Sequence, residues 1–194
     1  MDAATASSVK QCPPEFLQGA RIALRGFTRA DLELYRRWLD DPKVTEFLEM
    51  GARPTRDADC EAFWRLASEA DDAIVFAIAE RKGGKTVGTC GLYLIQWMAR
   101  RAQFNILIGE SSAWDKGFGT EAAHLILAYA FDVLNLNSVQ LGVNADNARA
   151  VRSYEKVGFV HEGVRRQFVY RNGRYYDSVM MSVLREEYKA KRKP

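Results

Sequence analysis

The sequence predicts a single α+β domain in which about four helices flank a mixed, mostly antiparallel sheet of seven strands. Its 194 residues suit one domain with one core. In the first half, one strand and two helices precede three strands joined by short turns, which is typical of antiparallel pairing. In the second half, helices and strands alternate before a closing hairpin, which indicates parallel pairing within the same sheet.

The first strand is predicted over residues 21–27, where apolar and polar side chains alternate. Thr28 is placed to cap a helix that ends near Pro42, and a second helix begins at about Thr55. The sheet resumes at 73–79, which is almost wholly apolar. The later elements are strands at 86–95, 103–109 and 138–143, helices at 117–134 and 147–157, and a hairpin with arms at 167–170 and 175–184.

Chain organisation and composition narrow the classes of function. We expect a flexible arm over 1–19, because Pro13 and Pro14 lie there without hydrophobic periodicity, then one domain over 20–188 and a basic tail over 189–194. The net charge is only +3 and the charges are interspersed, so we expect no nucleic-acid partner. No apolar run approaches the ~20 residues that span a bilayer, so we expect no membrane partner and a cytoplasmic location.

Three widely separated cysteines form no Cys-x-x-Cys pair and no cluster with histidine. This pattern is typical of a reducing compartment, and it predicts neither a disulfide framework nor a metal site.

The segment Trp114-Asp-Lys-Gly-Phe-Gly-Thr-Glu-Ala122 carries the strongest chemical signal. Gly117 and Gly119 open a helix behind a strand, where unpaired backbone N–H groups and the positive helix end favour an anion. Lys116 adds a positive charge. The segment therefore predicts a pyrophosphate cradle, and the alternative is an ordinary helix start that contains glycine.

Two other phosphate motifs fit poorly. Gly117-x-Gly119-x-x-Ala122 matches a dinucleotide fingerprint, but seven residues separate it from the strand end at Gly109. No acidic residue ends the next strand to hold a ribose. Residues 84–86 imitate the end of a P-loop, but its first glycine would be residue 79, which is alanine.

A strand over 104–109, the cradle over 114–120 and the motif Asn147-x-x-Ala-x-x-x-Tyr-x-Lys-x-Gly-Phe159 follow one another in this chain. This order resembles the GNAT superfamily of N-acetyltransferases, and within it the branch of ribosomal-protein N-terminal and spermidine acetyltransferases. The resemblance runs from Ile22 to Tyr188. Trp114 departs from it, because the family's cradle usually opens with Gln or Arg.

The resemblance implies a GNAT-like fold and acetyl-CoA as co-substrate, with no metal. The strand over 104–109 would splay from its neighbour near Val143, and the pantetheine arm would pair with main-chain groups there. Asn147 would bond to the cofactor arm, although it could equally cap its helix. The implied cofactor-binding positions are Ile106, Leu107, Ile108, Lys116, Gly117, Phe118, Gly119, Thr120, Asn147 and Lys156.

The implied chemistry is direct attack of a neutral amine on the thioester. A main-chain N–H near Ile106 or Leu107 would stabilise the oxyanion, and Tyr154 would protonate the departing sulfur as general acid. A protonated alkylamine also needs a base, for which Glu110 is the candidate. His124 is expected to be packed in its helix, and His161 is a weaker candidate for the cleft.

The acceptor is expected between the two early helices and the final hairpin. Asp40, Asp41, Glu46 and Glu49 favour a cationic amine there, whereas nearby Lys and Arg residues favour an acidic partner. A protein N-terminus, a polyamine and an amino sugar therefore stay open as acceptors. We expect a homodimer only because dimers are common among soluble enzymes. The rival hypothesis is an acyl-CoA-binding sensor or interaction module without turnover.

Overall fold

A computed structural model describes residues 13–192, and over this range it shows an α+β fold with one open sheet in the order β1-β2-β3-β4-β5-β6-β8-β7. Only β5 and β6 are parallel neighbours. The strands are β1 Glu15–Gln18, β2 Ile22–Gly26, β3 Ile74–Glu80, β4 Thr86–Gln96, β5 Arg101–Ile108, β6 Ser138–Asn144, β7 Val160–Arg171 and β8 Arg174–Leu184. The helices are α1 Leu32–Leu39, α2 Asp57–Glu69, α3 Phe118–Ala128, α4 Ala148–Val157 and α5 Arg185–Ala190.

The described residues thus form eight strands rather than seven, because β1 lies in the segment expected to be a flexible arm. Phe16 holds β1 to the sheet: its ring centroid lies 5.7 Å from that of Phe76 and 5.6 Å from that of Tyr129. The strand has only four residues and follows two prolines, so it shows too little alternation to be recognised in the sequence. The rest of the expected arm, residues 1–12, lies outside the described range.

The fifth helix, α5, overlaps the expected basic tail, where four helices had been predicted in all. Its first turn is closed by Glu187, whose carboxylate accepts the N–H of Leu184 at 2.8 Å. Tyr188 packs on Phe131 with ring centroids 5.0 Å apart, and its hydroxyl donates to Asp132 at 2.9 Å. These long-range contacts, rather than local propensity, order this helix.

Two hydrophobic clusters cover the two faces of the sheet. The larger contains α3 and α4, and Ile106 and Ile108 of β5 pack against it. The smaller contains α1 residues with Phe27 and Val75, and Leu107 packs against that one. Successive β5 residues therefore face opposite layers, as the period of a strand requires.

Several helix limits differ from those predicted. A 3-10 turn, Arg29–Asp31, precedes α1, and α2 begins at Asp57 rather than at Thr55. The long helix expected over 117–134 is α3 followed by a turn of π-helix, Tyr129–Val133. Within residues 13–192, no helix is long and apolar enough to cross a membrane.

Candidate active site

The parallel strands β5 and β6 separate along their length. They pair only where Arg101–Gln103 face Ser138–Gln140. Beyond that point β5 continues beside β4 as far as Ile108, and β6 continues beside β8 as far as Asn144. The divergence expected near Val143 is therefore present, and it leaves a wedge-shaped opening in the middle of the sheet.

Main-chain groups of β5 point alternately into this opening and toward β4. The N–H of Gly109 donates to the carbonyl of Val87 on the β4 side at 2.9 Å. Because antiparallel pairing alternates from residue to residue, Leu107 also faces β4, whereas Ile106 and Ile108 face away from it. This geometry favours Ile106 and Ile108 as cofactor positions and does not favour Leu107.

Trp114 makes a hydrogen bond to one main-chain group that faces the opening. Its indole Nε1 donates to the carbonyl of Ile108 at 2.8 Å, and the guanidinium of Arg149 lies 4.8 Å from the centre of its rings. The departure from the family's Gln or Arg thus has a structural role, because it joins the loop before α3 to the end of β5. Sequence reasoning missed this bond, since no local pattern signals it.

The two glycines of the cradle have different constraints. Gly117 is the N-cap of α3 with φ +75°, and a Cβ atom there would lie 3.0 Å from Nη2 of Arg21. At Gly119 a Cβ atom would only touch Ile108 and Ile106, at 3.8 and 3.9 Å. The backbone at Gly119 therefore lies directly beside the opened part of β5, and the strand and the cradle form one site.

Arg21 braces the start of α3 from the other side. Its Nε donates to Glu121 at 2.8 Å, its own N–H donates to the same carboxylate at 2.8 Å, and its Nη1 donates to the carbonyl of Lys116 at 2.5 Å. Glu121 therefore fixes the start of α3 through Arg21, a partner 100 residues away for which the sequence contains no signal. Phe118 is buried in the core, so only its main chain is available to a ligand.

Tyr154 lies where the opening begins. Its ring packs edge-on against Phe104, the first β5 residue beyond the paired part, at a centroid distance of 6.3 Å, and against Phe159 at 5.7 Å. Burial raises the pKa of Tyr154 to about 12. Its hydroxyl makes no hydrogen bond within residues 13–192. The neighbouring Ser153 shares a hydrogen bond of 2.7 Å with Thr120, which joins α4 to the cradle.

The two remaining cofactor candidates are Asn147, at the start of α4, and Lys156, within α4. Asn147 accepts the N–H of Ala150 through its side chain at 3.1 Å, so it caps α4 as the alternative interpretation required. Lys156 is exposed on the same helix.

Glu110 has the contacts of an anchor rather than of a proton acceptor. It accepts hydrogen bonds from Arg37, from the indole of Trp38 at 2.9 Å and from Lys85 at 2.7 Å. Burial alone raises its pKa, but these bonds and the charge of Lys85 bring the pKa down to about 2. A carboxylate with so low a pKa is a weak base near neutrality.

Neither histidine enters the opening. His124 is exposed on α3, not packed as expected, and His161 pairs with Glu155 at 2.9 Å on the surface. Among residues 13–192, no group of three or more His, Cys, Asp and Glu side chains is arranged to hold a metal ion.

The segment between α1 and α2 contacts the final hairpin, and the sequence predicts that the acceptor binds between these elements. Arg171, near the turn of the hairpin, donates to the carbonyl oxygens of Leu48 and Met50 and to the hydroxyl of Thr45. Sequence reasoning had no signal for this contact, because its partners are 121 to 126 residues away along the chain.

Comparison with known proteins agrees with this architecture. Residues 21–160 match the family model described as the acetyltransferase (GNAT) domain. The chain is 29% identical to the uncharacterised N-acetyltransferase p20 of Bacillus licheniformis, over 90% of this chain and 98% of that protein. It is also 29% identical to the spermidine N(1)-acetyltransferase of Escherichia coli K12, over 89% of this chain and 90% of that enzyme. The crystal structure of spermidine N-acetyltransferase from Vibrio cholerae with CoA and spermine superposes with a TM-score of 0.80 and 26% identity, covering 88% of this chain and 99% of that one.

Proposed function

The chain belongs to the GNAT acetyltransferase family, and on that premise we propose that a polyamine accepts the acetyl group. The reaction is transfer of an acetyl group from acetyl-CoA to an amine, which its relatives support. Which amine is used, and which residues perform each step, belong to the proposal.

The β5 opening and the cradle would hold the co-substrate. The N–H and C=O of Ile106 and the N–H of Ile108 are the β5 groups that face the opening. Backbone N–H groups from Lys116 to Thr120 would hold the pyrophosphate at the positive end of α3. An N–H of Ile106 would also stabilise negative charge on the carbonyl oxygen during attack.

Tyr154 is the proposed general acid. A pKa of about 12 keeps its proton in place throughout the ordinary pH range. The proton would pass from its hydroxyl to the sulfur as the carbon–sulfur bond breaks. Glu110 is proposed as the anchor that fixes the end of β5 against α1, so the amine would lose its proton to water rather than to this carboxylate.

The acidic segment between α1 and α2 is the observation that carries the polyamine proposal. It holds Asp40, Asp41, Glu46 and Glu49. Asp40 accepts the N–H of Thr55, which lowers the pKa of its carboxyl, so it is ionised at neutral pH. Glu46 and Glu49 are exposed and make no ion pair within the described part of the chain. Unpaired carboxylates beside the acceptor side attract a multiply charged amine.

The test compares spermidine, a short peptide with a free N-terminus and glucosamine as acceptors. We expect the highest kcat/KM with spermidine. The double variant Glu46→Gln, Glu49→Gln should raise the KM for spermidine several-fold at low salt, and less at high salt, because screening weakens the attraction. Glu33→Gln, which removes an exposed charge from α1, is the matched control.

A peptide preferred over spermidine, or a KM that ignores both glutamates, would overturn the polyamine proposal. Binding of acetyl-CoA without turnover of any of the three amines would favour the sensor hypothesis. The homodimer and the cytoplasmic location stay predictions of the sequence.

A further inference from the structure

Arg171 joins two parts of the molecule that are distant in sequence. Its Nη1 donates to the carbonyl of Leu48 at 2.9 Å and to that of Met50 at 2.5 Å. Its Nη2 donates to Oγ1 of Thr45 at 3.0 Å. The planar guanidinium fork is suited to such divergent acceptors, and a lysine ammonium on a flexible stem is not equivalent.

The receiving segment is itself shaped for this contact. Thr45 is buried, and its hydroxyl donates to the carbonyl of Asp41 at 3.0 Å while accepting from Arg171. Gly51 closes the segment with φ +86°, and a Cβ atom there would lie 2.4 Å from Oγ1 of Thr45. Arg171 therefore completes a packed cluster rather than touching a loose loop.

The position of the hairpin turn shows what this cluster borders. The last β6 residue, Asn144, pairs with Ser178 of β8, so Arg171 and its partner Arg174 lie beyond the end of β6. Arg174 is tied to Asp146, just after β6, at 2.9 Å. The turn thus projects past the end of the sheet at which β5 and β6 have already diverged.

We propose that Arg171 is a positioning residue that holds residues 45–50 across the acceptor side of this opening. It acts on acceptor binding through the segment, not on the reacting atoms. The inference rests on the proposed function, since it assigns the segment to the acceptor rather than to acetyl-CoA.

Kinetics of Arg171→Ala and Arg171→Lys test the proposal, with Arg174→Ala as matched control on the same turn. We expect Arg171→Ala to raise the acceptor KM roughly tenfold, because residues 45–50 lose the three hydrogen bonds that Arg171 donates to them. The Kd for acetyl-CoA, measured by calorimetry, should stay within about twofold, and kcat should change little. The lysine variant should fall between wild type and Arg171→Ala.

Amide hydrogen exchange separates failure of this inference from failure of the proposed function. Arg171→Ala should speed exchange in residues 45–50 and leave residues 114–121 unchanged, whichever amine is the acceptor. Spermidine turnover failing in the wild type would overturn the polyamine proposal only, and the amine that is turned over would replace spermidine in the KM comparison. An unchanged acceptor KM or unchanged exchange in 45–50 would overturn the role of Arg171, as would an equal KM rise in Arg174→Ala.

Discussion

The proposed cofactor side and the proposed acceptor side of this molecule are built in different ways. On the cofactor side, β5 and the start of α3 are ten residues apart in sequence, from Ile108 to Phe118, and present main-chain groups. On the proposed acceptor side, the side chain of Arg171 joins the hairpin to the distant α1–α2 segment, where it donates to two main-chain carbonyls and one hydroxyl.

This difference determines how strongly single substitutions would affect the binding of each ligand. Main-chain groups bind a ligand with almost any side chains around them, provided that glycine lets the ligand approach. A site that depends on a long-range side-chain contact, such as that of Arg171, changes with a single substitution. If the proposed sites are right, acetyl-CoA binding follows from the fold, whereas the choice of amine depends on residues that no local motif specifies.

Tyr154→Phe should give the largest effect on the cofactor side. Removing a general acid costs about 10²–10³-fold in kcat. The Kd for acetyl-CoA should be nearly unchanged, and so should stability, because the hydroxyl has no hydrogen-bond partner within residues 13–192. Thiol-release kinetics with calorimetry check this, and Tyr170→Phe, at an exposed tyrosine, is the control. Wild-type turnover by Tyr154→Phe would remove this residue from the mechanism.

Gly119→Ala should weaken acetyl-CoA binding by about tenfold, or 1.4 kcal/mol, while the protein stays as stable as the wild type. The added methyl group touches only Ile108 and Ile106, at ordinary contact distances, so the fold accommodates it. It would nevertheless occupy the space that the phosphates need. Calorimetric titration measures the loss.

Gly163→Ala is the control for that titration, because a Cβ atom there meets nothing within 4 Å and lies on β7. Undiminished affinity in Gly119→Ala would mean that the glycine-rich loop is an ordinary helix start.

Glu110→Gln should have the smallest effect on activity and a measurable one on stability. The folded-state pKa of about 2 lies below the ordinary value of 4.5, so the carboxylate stabilises the fold above pH 4.5. That contribution is lost as the pH falls from 4.5 toward 2. At pH 7, we expect the free energy of unfolding of the variant to be roughly 1–2 kcal/mol lower than that of the wild type. Between pH 4.5 and 2, the variant should not show the further loss of stability that protonation of Glu110 causes in the wild type.

Thermal unfolding as a function of pH checks the stability of Glu110→Gln, and the pH profile of kcat checks its chemistry. If the variant lost most of its kcat near neutrality, with the acid limb of the profile gone, Glu110 would be the base after all.

Local sequence signals were sufficient for the α+β class and for most elements. Alternation predicted β2, and the glycines with the Asn147 motif predicted the start of α3 and α4. The divergence of β5 and β6, which is present, was expected from the resemblance to the GNAT family and not from a local pattern.

The remaining features depend on contacts that a sequence pattern does not show. β1 is too short to alternate, and its place depends on Phe16 reaching Phe76. The role of Trp114 depends on the carbonyl of Ile108, and the anchoring of Glu110 depends on Lys85. The hydrogen bond from Arg171 to Thr45 likewise joins residues that are far apart in the sequence.

Amide hydrogen exchange of the wild-type protein with and without acetyl-CoA tests the central claim most directly. We expect protection of residues 104–108 and 114–121 on binding, and no change in residues 41–55. Protection that spares the cradle, or that falls on the α1–α2 segment, would contradict the division of the molecule into a main-chain cofactor side and a side-chain acceptor side.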